Sequence, residues 1–402
     1  MSKVFLVSAK RSAIGSMLGS LKEFSPAALG AEVLKAALEA GKIQPEWLDE
    51  VIVGNVLPAG AKQGPGRQVA IGAGVPVEIP AYSINMVCGS GMKAVMNGVL
   101  SIKAGAASLV AAGGTEIMSG APYLVPGKTR WGAKMGDLKM IDHMIFDSLT
   151  DAYSGQHMGI TAENIVERYG ITREEQDAFA IHSQTKAIAA QDAGKFKDEI
   201  VPITVKQGRK EFVFDADEYI NRTTTLEKLS TLRPAFKPDG SVTAGNASGI
   251  NDGASFVILA SEEAVKKYNL APMAEIVGIG QGGVEPDVMG LGPVPAVRNA
   301  LKNAGMKLSE IELLELNEAF AAQSLGVVKL LSEEHGQSRE EILKRCNVNG
   351  GAIALGHPVG ASGNRIIVTL AHELKKSGKT YGLASLCIGG GMGTAVILKN
   401  IK

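Results

Sequence analysis

The sequence predicts an α/β protein with two topologically similar halves, each built on a mixed sheet, and one inserted loop domain. Three observations predict this fold class. Short apolar runs that suit strands alternate with helical segments, which favours a parallel or mixed sheet covered on both faces. The middle of the chain interrupts this alternation, and the second half then repeats the order of the first.

The first half begins with a strand and a capped helix. Residues 4–7 are apolar and largely β-branched, and Ser25-Pro26 supplies an N-cap and a first-turn proline for a helix that ends at Gly41. The alternation that follows predicts strands at 51–56, 82–87 and 109–112, and helices near Gln68 and over 91–104.

Residues 119–249 contain more Lys, Asp and Met than their flanks. Thr172 and Glu175 form a capping box for a helix that runs towards Ala190, and a weak strand pair surrounds Ile203 and Phe212. A connection this long cannot be a single loop. We therefore predict a loop domain over 119–249 that covers the substrate and takes part in assembly.

Alternation resumes after this segment. It predicts a short helix capped by Ser261, helices over 296–304 and 364–376, and strands at 256–259, 274–279, 313–316, 381–386 and 394–398. The glycine-ended strands at 109–116 and 383–390 resemble each other, which indicates a pseudo-repeat. The predicted domains are an N-terminal half over 1–118 and 250–270, the loop domain over 119–249, and a C-terminal half over 271–402.

Composition excludes several functional classes. The chain has 402 residues, of which 41 are basic and 41 acidic, so it has no net charge to attract nucleic acid or an anionic membrane. No apolar run reaches membrane-spanning length, and the N-terminal run is too short for a signal peptide. Three cysteines argue against a disulfide framework. We expect a cytoplasmic protein with no nucleic-acid or membrane partner, and no spacing predicts a metal or dinucleotide site.

Two cysteines occupy glycine-rich turns beside apolar strands. Cys88 precedes residues 89–91 and a helix, whose free N–H groups would lower the pKa of a nucleophilic thiol. A buried structural cysteine explains its position equally well. Cys387 ends a strand before three glycines, which either form an anion-binding nest or merely reverse the chain. We expect the two cysteines to occupy the same strand-end position, once in each half. Cys346 is interpreted as a structural thiol.

His357 and Asn317 are the other candidates. Five glycines surround His357, so we predict an exposed imidazole in a turn, functional rather than structural. Asn317 follows the strand at 313–316 and by itself indicates only turn chemistry.

Four ordered blocks, at 85–91, 317–320, 350–358 and 386–393, resemble the signature blocks of the thiolase family, and the resemblance extends over essentially the whole chain. It implies the thiolase fold, a homo-oligomer with a tetramer favoured over a dimer, and CoA thioesters as substrates without a further cofactor. It also implies a reversible Claisen condensation of two acetyl-CoA to acetoacetyl-CoA and CoA through an acetyl-cysteine.

The same resemblance implies residue roles. Cys88 would carry the acyl group after activation by His357. Cys387 would remove the α-proton of the second acyl-CoA with a thiol tuned near neutrality. Asn317 would hold a water that stabilises the enolate together with His357, and the N–H groups of Cys88 and Gly389 would form a second oxyanion hole.

Residues 156–159 and 288–293 resemble the biosynthetic, short-chain branch of the family. Residues 331–345 are longer than expected for its shortest bacterial members. The implied substrate-binding residues are His157, Met158, Met289 and Phe320 at the acyl pocket, and Phe236, Ala244 and Ser248 along the pantetheine arm.

Three alternatives remain. A degradative thiolase of broad chain length would share every catalytic residue, so the acyl pocket has to discriminate it. A non-catalytic acyl-CoA-binding protein on the same fold would not need both cysteines, the histidine and the asparagine. A decarboxylating ketosynthase normally uses two histidines or a histidine and asparagine pair, and the second thiol, Cys387, argues against it.

Overall fold

The computed structural model describes residues 3–401. The strands are β1 Val4–Ser12, β2 Gly15–Ser16, β3 Glu50–Gly54, β4 Ala81–Ile84, β5 Leu109–Ile117, β6 Tyr123–Leu124, β7 Ile141–Asp142, β8 Ile200–Val201, β9 Ile203–Gln207, β10 Lys210–Phe214, β11 Asn251–Ser261, β12 Ala274–Gly283, β13 Leu313–Leu316, β14 Tyr381–Ile388 and β15 Met392–Asn400. The α-helices are α1 Pro26–Gly41, α2 Pro65–Gly72, α3 Ser90–Lys103, α4 His143–Ser148, α5 Met158–Tyr169, α6 Arg173–Asp192, α7 Leu226–Ser230, α8 Glu262–Lys267, α9 Pro293–Ala304, α10 Ala321–His335, α11 Arg339–Lys344, α12 Ala352–Leu355 and α13 Val359–Ser377.

A single mixed sheet runs through both halves in the order β13-β14-β15-β12-β1-β11-β5-β3-β4. The halves join where Phe5 pairs with Glu275 and Leu6 pairs with Ala274, between β1 and β12. On each side of this junction two antiparallel pairings are followed by a parallel one. The predicted α/β class and the pseudo-repeat are therefore confirmed.

The repeat places Cys88 and Cys387 at different positions in the two halves. Cys88 follows β4 and precedes α3, and the corresponding C-terminal segment is the one before α13 that holds His357. Cys387 instead lies within β14, whose counterpart is β5. The expectation of one shared strand-end position is wrong. The sequence hides the true correspondence because the counterpart of β4 is reduced to one parallel bridge between Leu314 and Cys346.

Helices α3 and α13 pack against each other and against strands of both halves. Residues 359–374 of α13 are buried throughout, so this helix lies in the centre of the molecule. Gly91 allows the close approach, because a Cβ there would lie 2.9 Å from Gly360 O and 2.9 Å from Asn364 N. The first turns of α3 and α13, which follow Cys88 and His357, therefore lie side by side.

Most local predictions are confirmed, and most strands are longer than expected, but β3 and β4 end at Gly54 and Ile84 rather than at the predicted residues 56 and 87. Ser25 caps α1, and Thr172 and Glu175 form the capping box of α6. Strand β11 is buried along its whole length, including its polar first residues. The apolar run alone underestimates the length of such a central strand. Polar residues can extend a buried strand when their side chains form hydrogen bonds inside the protein.

Residues 118–250 connect β5 to β11, whereas residues 389–391 make the corresponding connection from β14 to β15. The longer connection contains α4 to α7 and two small hairpins, of which β9–β10 matches the predicted strand pair. Its β8 pairs with β1 at Arg11 and Ser12. The domain boundaries remain a prediction. Within residues 3–401, no helix is both long enough and apolar enough to cross a bilayer.

Candidate active site

Cys88 lies in a tight turn between β4 and α3. Val87 adopts a φ of 45°, a left-handed conformation that is unusual for a β-branched residue. Gly89 N–H donates to Met86 O at 3.0 Å, and the Ser90 hydroxyl donates to Val87 O at 2.7 Å. These bonds hold a strained backbone at the candidate nucleophile, as is typical of functional sites.

The turn after β14 brings Gly389 and Cys387 to Cys88. The backbone N–H of Gly389 lies close enough to the Cys88 thiol to act on its pKa. The two turns pack tightly, because a Cβ on Gly89 would lie 2.3 Å from Ile388 Cδ1. Cys387 is close enough to Cys88 for the charge of one sulfur to raise the pKa of the other. The structure thus assembles three predicted site residues from both halves.

The pKa values of both thiols are raised. Burial raises the pKa of Cys88 to about 11, and the N–H groups of Gly389 and Cys88 only partly oppose it. Burial, and then the neighbouring Cys88, raise the pKa of Cys387 far above neutrality. The lowered and near-neutral pKa values expected from sequence are therefore wrong. Cys88 lies two residues before the start of α3, and apolar side chains surround it.

His357 is buried, with 6% of its surface exposed, so the predicted exposure is wrong. Its backbone N–H donates to Asn251 Oδ1 at 2.9 Å. Gly356 has a φ of 107°, and a Cβ there would lie 2.5 Å from Asn251 Cγ. The glycines of this segment let the chain turn inward against Asn251 rather than outward to solvent.

A hydrogen-bond chain fixes the imidazole tautomer. His357 Nδ1 lies 2.6 Å from Ser362 Oγ, and the Ser362 hydroxyl donates to Pro358 O at 2.8 Å. Because the single hydroxyl hydrogen is committed to Pro358, Nδ1 carries the imidazole hydrogen. Nε2 therefore presents a lone pair, and it has no partner among residues 3–401. Burial, together with the nearby Arg365, lowers the pKa of His357 to about 4.

Asn317 lies directly after β13 and is 1% exposed. Its N–H donates to Ser385 O at 3.0 Å. Neither Oδ1 nor Nδ2 of its side chain has a hydrogen-bond partner within residues 3–401. A buried amide with both ends unpaired indicates a site for water or a polar ligand group.

The predicted acyl-pocket residues surround Cys387. Met158, Met289 and Phe320 are buried in one apolar cluster with it, and Phe236 packs against that cluster. His157 stacks on Phe236 with ring centroids 4.6 Å apart. The structure thus groups five of the seven predicted substrate-binding residues beside the second thiol.

The other two predicted binding residues are in different places. Ala244 lines a cavity of about 340 Å³ whose wall also includes Tyr219, Asn221 and Lys228. Ser248 lies at the edge of the cluster that contains Cys387, because its N–H donates to the carbonyl oxygen of Ala319, a member of that cluster, at 2.9 Å. Sequence reasoning missed Tyr219 and Lys228, because neither belongs to a motif.

Three more site residues were missed. Ser362 follows the glycine-rich segment around His357, and Asn251 stands before the predicted strand at 256–259, but a single serine or asparagine in such a place indicates no function by itself. Glu116, at the end of β5, accepts hydrogen bonds from Val56 N at 2.9 Å and Leu57 N at 3.1 Å. Burial raises the pKa of Glu116 to about 7. The sequence shows that Glu116 follows an apolar run, but it does not show that Glu116 lies close to Cys88.

Within residues 3–401, no three His, Cys, Asp or Glu side chains converge as a metal site would require.

Comparisons with known proteins agree with this fold and site. Residues 4–263 match the thiolase N-terminal domain, and residues 270–400 match the thiolase C-terminal domain. The chain is 52% identical over 398 residues to the acetyl-CoA acetyltransferase of Chromobacterium violaceum, covering 99% of both chains.

Two solved structures share the fold. The human mitochondrial 3-ketoacyl-CoA thiolase in complex with CoA superposes with a TM-score of 0.94 at 47% identity, over 100% of this chain and 98% of the other. The acetyl-CoA acetyltransferase from Syntrophomonas wolfei gives a TM-score of 0.96 at 41% identity, over 100% of both chains.

Two similar α/β halves with a site at their junction define the class of protein as an acyltransferase enzyme. The chain belongs to the thiolase family, whose two domain models it matches in order along nearly its whole length. The fold expected from the four signature blocks is confirmed.

Proposed function

We propose that the protein catalyses the reversible Claisen condensation of two acetyl-CoA molecules to acetoacetyl-CoA and CoA, through an acetyl group carried on Cys88. One observation carries the proposal. The turn that holds Cys387 and Gly389 packs on the Cys88 turn, and the first turn of α13, which follows His357, packs on the first turn of α3, which follows Cys88. His357 and Asn317 are both buried and have unpaired polar atoms. The names of similar acetyltransferases support the same reaction. CoA thioesters are the substrates, and no further cofactor takes part.

In the first half-reaction the Cys88 sulfur attacks the thioester carbonyl. His357 Nε2 takes the thiol proton, since its lone pair is free, and the carbonyl-to-CoA sulfur bond breaks. The departing CoA sulfur takes the proton of the Cys387 thiol, which leaves Cys387 as a thiolate and His357 protonated at Nε2. Because the pKa of Cys88 is about 11 and the pKa of His357 is about 4, both groups are neutral before the reaction. The proton therefore moves from the sulfur to the imidazole during the attack rather than before it.

In the second half-reaction Cys387 removes a proton from the methyl carbon of another acetyl-CoA. The resulting carbanion attacks the acetyl carbonyl, a carbon–carbon bond forms, and the bond to Cys88 breaks. The departing Cys88 sulfur takes the Nε2 proton of His357, and Cys387 keeps the α-proton, so both thiols and the imidazole return to their neutral forms. Asn317 and His357 supply buried polar groups for the enolate oxygen, where fixed donors are most effective.

The acyl pocket favours short chains over the broad-chain alternative. Met158, Met289 and Phe320 close the space around Cys387 with buried side chains. Thiolysis rates should therefore fall steeply beyond a ketoacyl chain of four or five carbons. Equal rates with a ten-carbon substrate would instead support the degradative alternative.

A labelling experiment separates the enzyme from a non-catalytic binder. Iodoacetamide should modify Cys88 faster than Cys346, which is 4% exposed, and acetyl-CoA should block that reaction. Acetyl-CoA labelled in the acetyl group should then leave one acetyl on Cys88 and none on a Cys88→Ala variant. Equal, slow alkylation of both thiols would favour a binder.

We infer a homo-oligomer, with a tetramer favoured over a dimer, in the cytoplasm. Strand β4 is a sheet edge with free backbone groups. Trp131 is 85% exposed and Met135 is 97% exposed, on a segment with further exposed apolar side chains. Light scattering should give the mass of four chains, and a Trp131→Asp, Met135→Asp variant should give a smaller assembly. A monomeric wild type would contradict this inference.

A further inference from the structure

Glu318 is a buried carboxylate next to Asn317, and it is 2% exposed. Its Oε2 accepts hydrogen bonds from Ser183 Oγ at 2.6 Å and from Ile353 N at 3.2 Å. Its Oε1 accepts from Asn347 Nδ2 at 2.7 Å. Three donors therefore converge on one carboxylate that the reaction itself does not use.

The donors come from separate parts of the chain. Ser183 lies on α6, in the long connection between β5 and β11. Asn347 follows α11, and its side chain also binds the end of β13 through Leu316 N at 2.9 Å and Leu316 O at 2.8 Å. Because Asn317 follows Leu316 directly, this amide and Glu318 hold the backbone of Asn317 from both sides.

The same carboxylate holds the segment that leads to His357. Ile353 is in α12, which ends two residues before His357. Gly351 fits against the carboxylate because it lacks a Cβ, which would lie 2.1 Å from Glu318 Cδ. Gly351 N–H donates to Ser183 Oγ at 3.0 Å, so the Ser183 hydrogen is directed at Glu318. Burial raises the pKa of Glu318, and the bonds from Ser183 and Asn347 oppose that rise.

We propose that Glu318 is a positioning residue that fixes Asn317 and the segment before His357 relative to each other. The inference rests on the proposed function, because it assigns the two side chains to one enolate-stabilising site. Asn317 Oδ1 and Nδ2 and His357 Nε2 have no hydrogen-bond partner among the described residues, so the position of one side chain relative to the other depends on the backbone segments that carry them. A shift of about 1 Å at such a site can lower a rate about 100-fold.

A Glu318→Gln variant tests the proposal. Glutamine keeps the shape of the side chain, but it replaces one accepting oxygen with an NH2 group, which cannot accept a hydrogen bond from the donors around it. We expect kcat for acetoacetyl-CoA thiolysis to fall about 10- to 100-fold while KM changes less than about twofold. Glu373→Gln is the matched control. Glu373 is also buried and accepts from Asn349 Nδ2 at 2.8 Å, shortly before α12, and no side-chain hydrogen bond joins it to Asn317 or to β13. The control should keep wild-type kcat.

A double-mutant cycle separates positioning from stability. In an Asn317→Ala background, Glu318→Gln should lower kcat by less than about threefold, because the group that it positions is gone. Losses that multiply, or wild-type kcat in the single variant, would overturn the inference. If Glu318→Gln does not fold, Ser183→Ala leaves the carboxylate in place, removes the 2.6 Å donor to Glu318 and the acceptor of Gly351 N–H, and should show the same pattern. An inactive wild type would refute the proposed function itself, so the two failures are distinguishable.

Discussion

Ser362 Oγ lies 2.6 Å from His357 Nδ1 and donates its own hydrogen to Pro358 O at 2.8 Å. Both contacts form in the first turn of α13. The first turn of the central helix therefore determines which imidazole nitrogen can act as a base. It leaves the lone pair of Nε2 free to take a proton.

Replacing Ser362 with alanine should remove the contact that keeps the imidazole hydrogen of His357 on Nδ1. We expect kcat for thiolysis to fall about 10- to 100-fold, with little change in KM, because the substrate does not contact the hydroxyl. Ser148→Ala is the matched control, since Ser148 is also buried and its hydroxyl donates to the carbonyl four residues earlier, at 2.7 Å. Equal activity of the two variants would contradict the assigned tautomer.

Alkylation of Cys88 by iodoacetamide should become faster with rising pH and reach no plateau below about pH 10. The sign follows from a thiol pKa raised to about 11, because the thiolate fraction then grows about tenfold per pH unit below that value. A His357→Gln variant should show the same slope, since an imidazole with a pKa of about 4 is neutral in this range. A plateau from pH 6 to 9 would instead indicate a thiolate and imidazolium pair.

Cys387→Ala should separate the two half-reactions. Cys88 should still take up an acetyl group from labelled acetyl-CoA, while condensation falls by at least about 1000-fold, since the α-proton has lost its base. Cys346→Ala is the control, because that thiol is equally buried but packs in a different apolar cluster. A Cys387→Ala variant that condenses normally would exclude Cys387 as the base.

Met289→Ala should widen the acyl pocket. We expect kcat/KM for a six-carbon ketoacyl-CoA, relative to the four-carbon substrate, to rise about tenfold. Met96 has the same 3% exposure but lies in the core around α3, so Met96→Ala should lower stability and leave this ratio unchanged. An unchanged ratio in Met289→Ala would remove Met289 from the pocket wall.

Local signals in the sequence were sufficient for much of the fold. The capping residues of α1 and α6 were found because a cap is formed by residues three apart. The repeat was found because 109–116 and 383–390 each contain an apolar run followed by glycines, although the predicted turn in the first is wrong, since Gly113 and Gly114 lie within β5. The long extension of β11 was missed because its polar residues are satisfied by distant partners, such as Gly15 O for Asn251.

By itself, the sequence determined which residue types stand at which places: two thiols, one histidine and one asparagine beside glycine turns, in an order that indicates the family. Only the tertiary structure decided their chemical states. Cys88 and His357 have shifted pKa values because the folded chain removes water from around them, and Ser362 selects the free nitrogen of the imidazole. Burial and hydrogen-bond partners depend on residues far apart in the chain, so no local pattern of residues can encode them.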